Sequence, residues 1–227
     1  VSIHHVNAVG HVGNAAPYRG SDARFTTNPY CCAIPGARKS EPLVLDMATT
    51  VMAHGKVRVA RNKGEQLPEG VLLDGQGQPT TDPDALFSEP PGALRPVGTY
   101  KGYGLALVNE LLAGILSGGG TCRPETHHKN DTILNNMFSV ILDPNRFAGS
   151  EFFKSELDLT VEHVTSSPPM NPAEPVLIPG DPERANTSKR EIEGIPIDEN
   201  SWGLVVNTAK SVGLTNNQIS NLAQIVT

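Results

Sequence analysis

The sequence has only three cysteines in 227 residues, no surplus of basic side chains, no G-x-G-x-x-G turn and no apolar run of bilayer length. Each lack excludes something. Three cysteines, two of them adjacent as Cys31 and Cys32, cannot build a disulfide framework, and that pair is expected to serve as buried small hydrophobes. A formal net charge of -6 argues against a nucleic-acid partner, which requires a basic surface to displace counterions. The longest apolar helical pattern, Leu105 to Leu116, is interrupted by Asn109 and Glu110, so no membrane span is expected. No signal peptide is read, and cytoplasmic residence is the expectation. The chain opens on Val1 with a strand-like run already under way, so the N-terminus of the protein is expected to lie upstream. The glycine groups Gly10/Gly13, Gly102/Gly104 and Gly118–Gly120 do not have the spacing of a doubly wound dinucleotide fold.

What is there describes a globular chain, with 38% hydrophobic and 19% charged residues. Residues 1–6 and Pro42–Leu45 read as strands, and Asn14-Ala15-Ala16 as a helix start. Asp46 is expected to cap a helix reaching Lys63, with Gly64 closing it. Residues 65–98, rich in Pro, Gly and Asp, read as an ordered, turn-rich excursion. Leu105, Val108, Leu111, Leu112, Ile115 and Leu116 recur at helical spacing, and Gly118–Gly120 stops that helix. Ile133–Leu142 alternates like a strand; helices follow over 151–164, 182–193 and from an Asp198 cap to Gly213. Strands alternate with helices, so the fold class is α/β or mixed α+β, a mixed sheet flanked by helices. Residues 1–142 are expected to form a central cofactor-binding and catalytic domain, and 143–227 a helical region completing the fold.

Several short stretches have chemical meaning. His11 lies between glycines that let backbone approach a ligand, and an imidazole there can exchange a proton near neutral pH; a turn histidine is the plainer reading. Thr26-Thr27-Asn28-Pro29 offers uncharged donors and acceptors, or is simply a turn closed by Asn-Pro. Asp46-Met47-Ala48-Thr49-Thr50, as a helix start, could present free N–H groups to phosphate, or be an ordinary cap. Lys101, in a glycine-rich turn, could neutralise a phosphate or carboxylate, or be a solvated lysine. The pairs His4-His5 and His127-His128 raise a metal site, but neighbours on a strand point to opposite faces, and neither H-E-x-x-H nor C-x-x-C is present; no catalytic metal is expected.

In order along the chain, Gly10-His11-Val12-Gly13, Thr27-Asn28-Pro29, Asp46-Met47-Ala48-Thr49-Thr50 with Gly55-Lys56, Gly64-Glu65 through Pro68-Glu69-Gly70, Asp74-Gly75-Gln76-Gly77, Pro79–Pro83, Lys101-Gly102-Tyr103-Gly104-Leu105 and Pro179–Arg184 resemble the malate/L-lactate dehydrogenase type 2 family. The resemblance implies a non-Rossmann NAD- or NADP-binding fold, a homodimer with its active site near the subunit interface, and hydride exchange with C2 of a small 2-hydroxy acid or its 2-oxo partner. His11 matches the proton-transferring histidine. Asp46, Met47, Ala48, Thr49, Tyr100, Lys101, Gly180, Asp181 and Pro182 match cofactor-contacting segments, while Asn28 and His128 are expected at the substrate. Two departures stand out. Members have an N-terminal region on the order of a hundred residues bearing a Ser-His-Gly motif, and a further segment where this chain passes from Tyr18 to Arg19. The sequence is therefore expected to join pieces of a longer protein. The alternative is a deletion variant that binds ligand or assembles without catalysis.

Overall fold

The computed structural model describes residues 1–10, 13–126 and 132–223. In chain order these contain β1 (Ser2–Val9), β2 (Tyr30–Ile34), β3 (Leu43–Met47), α1 (His54–Lys63), β4 (Leu72–Leu73), β5 (Pro79–Thr80), β6 (Ala93–Leu94), α2 (Tyr100–Asn109), β7 (Leu134–Ile141), α3 (Ser150–Thr165), α4 (Asp181–Glu193), α5 (Glu199–Ser211) and α6 (Asn216–Ala223). Among these residues the chain is mixed α+β, with antiparallel sheets ordered β3-β2-β1-β7 and β5-β4-β6. No helix among them is long and apolar enough to cross a membrane.

The larger sheet is covered on one face by α2 and its continuation, Glu110–Leu116, which winds as a π-helix. The strand period of two decides which side chains meet that helix. His5 and Asn7 reach it or the loop after it; His4 points the other way, to Ser139, with 2.8 Å between Nδ1 and Oγ. Phe138 pairs across the strands with His5 and shares its face, and the alternation of half-buried and exposed residues along β7 follows.

The densest apolar packing lies inside the turn-rich excursion. Leu67, Val71, Leu72, Leu86 and Leu94 are buried together with Ala15 and Val57, so β4, β6 and α1 enclose the main core. Gly64 ends α1 in the left-handed conformation, its N–H bonded to the carbonyls of Ala60 and Arg61, the capping role expected of it. Asp198 caps α5 as expected, accepting from Ser201 N at 2.8 Å.

Four expectations need correction. Asp46 does not cap a helix: it lies in β3, paired with Cys31, and α1 begins eight residues later, at His54 behind Ala53. Sheet pairing there outweighs the local capping preference. Asn14-Ala15-Ala16 starts no helix, because Ala15 is bridged to Phe25 and Leu94. Cys31 and Cys32 are half-buried members of β2, a strand the sequence reading passed over. Lys101 sits in the first turn of α2 rather than in a turn ahead of it.

Candidate functional site

The tetrapeptide Thr26–Pro29 forms a hub between the sheet and α2. Asn28 is fully buried with a φ of +34°, a conformation Asn tolerates better than most residues. Its Nδ2 donates to Ala106 O at 3.0 Å and to Glu110 Oε2 at 2.7 Å, while its Oδ1 accepts from Thr26 Oγ1 at 2.7 Å. Asn109, also buried, donates to Asn28 O at 2.7 Å and Pro29 O at 3.1 Å, and its Oδ1 lies 2.7 Å from His5 Nδ1. On the far side, Thr27 O accepts from both Thr49 N at 3.0 Å and Thr49 Oγ1 at 2.8 Å. Buried polar groups of this kind are tolerated only when paired, and these are.

Thr49 in turn meets the start of α2. Its carbonyl accepts from Val97 N at 3.0 Å, and Val97 O accepts from Gly102 N at 2.8 Å. A Cβ on Gly102 would lie 2.3 Å from Val97 O and 2.6 Å from Thr49 O, so only glycine permits this approach. Thr99, just before α2, has φ 58° and ψ -113°, a strained conformation of the sort that gathers at functional sites. Beside it is a cleft of about 540 Å³ walled by residues including Tyr18, Arg19, Val51, Arg95, Gly98 and Thr99. Tyr18 and Arg19 are the central residues of a tight turn closed by Gly20 N to Pro17 O at 2.9 Å. Tyr18 meets Tyr100 edge-on. Arg19, Arg95 and Lys101 form no ion pair among the described residues, so positive charge collects at the positive end of a helix dipole.

A second cleft, about 780 Å³, runs along the other end of α2, between Leu107, Glu110, Leu111, Gly114 and Ile115 on one side and Gly13, Arg24, Phe25 and Thr121–Pro124 on the other. Arg24 is held by Asp22 at 2.6 Å, while Arg123 has no ion pair among the described residues. Burial, then the neighbouring Glu110 carboxylate, pushes the Cys122 thiol up to about 11.

The profile of the malate/L-lactate dehydrogenase family matches residues 1–205. The chain belongs to that family. It is 39% identical over 226 residues to hydroxycarboxylate dehydrogenase B of Escherichia coli, covering 99% of this chain and 61% of that one. It is 38% identical over 208 residues to an L-lactate dehydrogenase of Cupriavidus necator, covering 92% and 59% respectively. A solved Escherichia coli structure, provisionally assigned as a malate/lactate dehydrogenase, superposes with a TM-score of 0.89 at 38% identity, over 98% of this chain and 62% of that one. The chain thus spans about three fifths of the length of these relatives.

Within this family member, the positions singled out from the sequence fall into two groups along one spine. β3 and the residues after it carry Asp46, Met47, Ala48 and Thr49, and Thr49 is joined through Val97 to the start of α2, where Tyr100 and Lys101 lie. Gly180, Asp181 and Pro182 lie at the opposite end of the same strand, where Val44 N donates to Pro179 O at 3.1 Å and Arg184 donates to Pro42 O at 2.9 Å. The Asp181 carboxylate accepts from Ile178 N at 3.0 Å and from Arg184 at 2.6 Å; both hold it below the usual carboxylate range. Asp181, Thr49 and Asn28 therefore spend their side chains on the protein, whereas Tyr100, Lys101 and Asp46 are exposed. His11 and His128 lie outside the described residues. Sequence reasoning missed Arg19, Arg95 and Glu110. For Glu110 a signal existed, since a lone carboxylate in the middle of an apolar helix needs a partner if it is buried.

Proposed function

We propose that the chain supplies the cofactor-binding part, and much of the reaction cleft, of a nicotinamide-dependent enzyme interconverting a small 2-hydroxy acid and its 2-oxo acid. The observation that supports this most directly is that Arg19 and Arg95 line the cleft at the start of α2, with Lys101 in the first turn of that helix, none of them ion-paired among the described residues. That donor set fits the two phosphates of NAD or NADP: guanidinium groups take phosphate oxygens in pairs and an ammonium serves as a point charge. The backbone N–H groups of Lys101, Gly102 and Tyr103 are already taken by the carbonyls of Gly98, Val97 and Thr99, so binding there rests on side chains and the dipole. Tyr100, 59% exposed, offers a ring face beside the same cleft.

When bound, the nicotinamide ring supplies the hydride-accepting or hydride-donating carbon. The chain's own residues orient and move protons. By its place in the family pattern His11 takes the hydroxyl proton of a 2-hydroxy acid, or returns one to a 2-oxo acid. By the same family pattern Met47, Ala48 and Gly180–Pro182 are assigned to the cofactor, and Arg123 is a cation for a substrate carboxylate, with His128 assigned to the same role. Assembly as a homodimer and cytoplasmic residence go with this reading.

The test is a fluorescence titration with NADH and with NADPH. Saturable binding is expected for the wild type, weakened roughly ten-fold in Lys101→Ala, the loss typical of one charge-assisted contact. A wild-type chain that is folded yet binds neither nucleotide would sink the proposal.

A further inference from the structure

Glu110 is 4% exposed, follows the buried Asn109 in a largely apolar helix, and borders the larger cleft. Its two oxygens face different parts of the molecule. Oε2 accepts from Asn28 Nδ2 at 2.7 Å, and Oε1 accepts from the backbone N–H of Cys122. We infer that Glu110 is a positioning residue whose carboxylate clamps the Cys122–Arg123 wall of the cleft to the Asn28 hub, setting the shape in which the cleft receives a 2-oxo acid. This rests on the dehydrogenase reading for the ligand, but the clamp itself rests on geometry alone.

The loop after the π-helix has two separate anchors. Gly120 is held by its own N–H to Gly114 O at 2.9 Å and by Asn7 Nδ2 donating to its carbonyl at 3.0 Å. A Cβ on Gly114 would lie 2.3 Å from Gly120 O, so that contact has no slack. Two residues on, the Cys122 N–H donates to the Glu110 carboxylate of the π-helix. Arg123 follows immediately and lines the cleft, and its N–H turns back to Thr126 Oγ1 at 3.2 Å. Glu110 thus fixes the half of the loop that bears the cleft's cation, while Gly120 fixes the other half.

The chemistry of the donors makes the clamp testable with an isosteric change. Both partners of Glu110 are N–H donors, so both oxygens must accept. Glutamine has the same shape but one accepting oxygen, and its NH2 would face an N–H group whichever way the amide is turned. If Glu110 served only to fill space, Glu110→Gln would be silent, or stabilising through loss of a buried charge. As a clamp, Glu110→Gln releases one side.

Amide hydrogen exchange on the intact chain should show the Cys122 N–H exchanging roughly ten-fold or more faster in Glu110→Gln, with the Gly120 N–H and the Leu72–Leu94 core unchanged. In the same variant, oxamate, a 2-oxo-acid isostere, should bind roughly ten-fold more weakly to the NADH complex, with NADH affinity itself held within a factor of about two. Unaltered exchange at Cys122 both in Glu110→Gln and in Glu110→Ala, which offers no acceptor to either side, overturns the clamp. Faster exchange with oxamate affinity unchanged overturns the positioning role, leaving an ordinary structural contact. A wild-type chain that takes up neither NADH nor oxamate defeats the dehydrogenase reading instead, so the two failures are distinguishable.

Discussion

Replacing Asn28 tests whether the buried hub holds the molecule together. Asn28→Ala removes three hydrogen bonds in one step: the 2.7 Å donation to Glu110, the 3.0 Å donation to Ala106 O and the acceptance from Thr26 at 2.7 Å. The Ala106 carbonyl keeps its bond from Glu110 N within the helix, so its loss is minor. Leaving a buried carboxylate short of a donor costs about 2–3 kcal/mol, and the Thr26 hydroxyl adds about 1 kcal/mol. Holding alanine at a φ of +34° adds roughly 1 kcal/mol. The sum, about 4–5 kcal/mol, is a large share of the roughly 5–15 kcal/mol by which domains are stable. Urea denaturation followed by circular dichroism reads it directly. Asn28→Gly separates the contributions: free of backbone strain, it should recover about 1 kcal/mol of the loss. Asn28→Asp sets a second carboxylate against Glu110. Facing that carboxylate the introduced aspartic acid is favoured in its protonated form, so the variant should be less damaged in acid than at neutral pH. A loss for Asn28→Ala of less than about 1 kcal/mol would show that the hub is incidental to the fold.

Other substitutions probe single contacts. Gly102→Ala should destabilise by about 2 kcal/mol or more despite alanine's better helix propensity, because its Cβ would meet two carbonyls at 2.3 and 2.6 Å. Gly104→Ala, with nothing within 4 Å of the added Cβ, should stabilise by about 0.5–1 kcal/mol; thermal melts of the pair check both signs. The Cys122 thiol, at about 11 instead of 9.0, should react with a disulfide reagent at pH 8 about a hundred-fold more slowly than an unperturbed thiol, in proportion to its thiolate fraction. Reaction at the ordinary rate in the folded protein would remove the case for burial beside Glu110.

The elements legible in the sequence are those whose signal is local. The period of the residues from Leu105 onward marks α2, Gly64 and Asp198 act at the helix ends as expected, and the alternation along β7 is visible in its residues. What was not legible depends on distant partners. Asp46 has the chemistry of a cap, but Cys31 across the sheet holds it extended. Ala15 has high helix propensity, but Phe25 and Leu94 bridge to it from either side. The excursion over 65–98 showed its turns and concealed the core, because strands of two residues leave no period to read. At the site, the order of motifs along the chain marked Lys101 and Thr49, but no spacing announces that Arg19 and Arg95 face the same cleft.

The π-helical stretch after α2 bears on which length changes the gene can tolerate. Wider turns hold an extra residue, and this lets neighbouring Asn109 and Glu110 both be buried, with Ala113 and Gly114 after them. A one-residue deletion between 111 and 113 that kept the wide winding would bring Ile115 into the place of Gly114. A residue with a side chain would then turn toward Gly120 O, where there is no room for one at Gly114. Single-codon deletions should therefore be far more damaging in this short segment than in the exposed connection 166–175 between α3 and α4, although neither changes the composition appreciably.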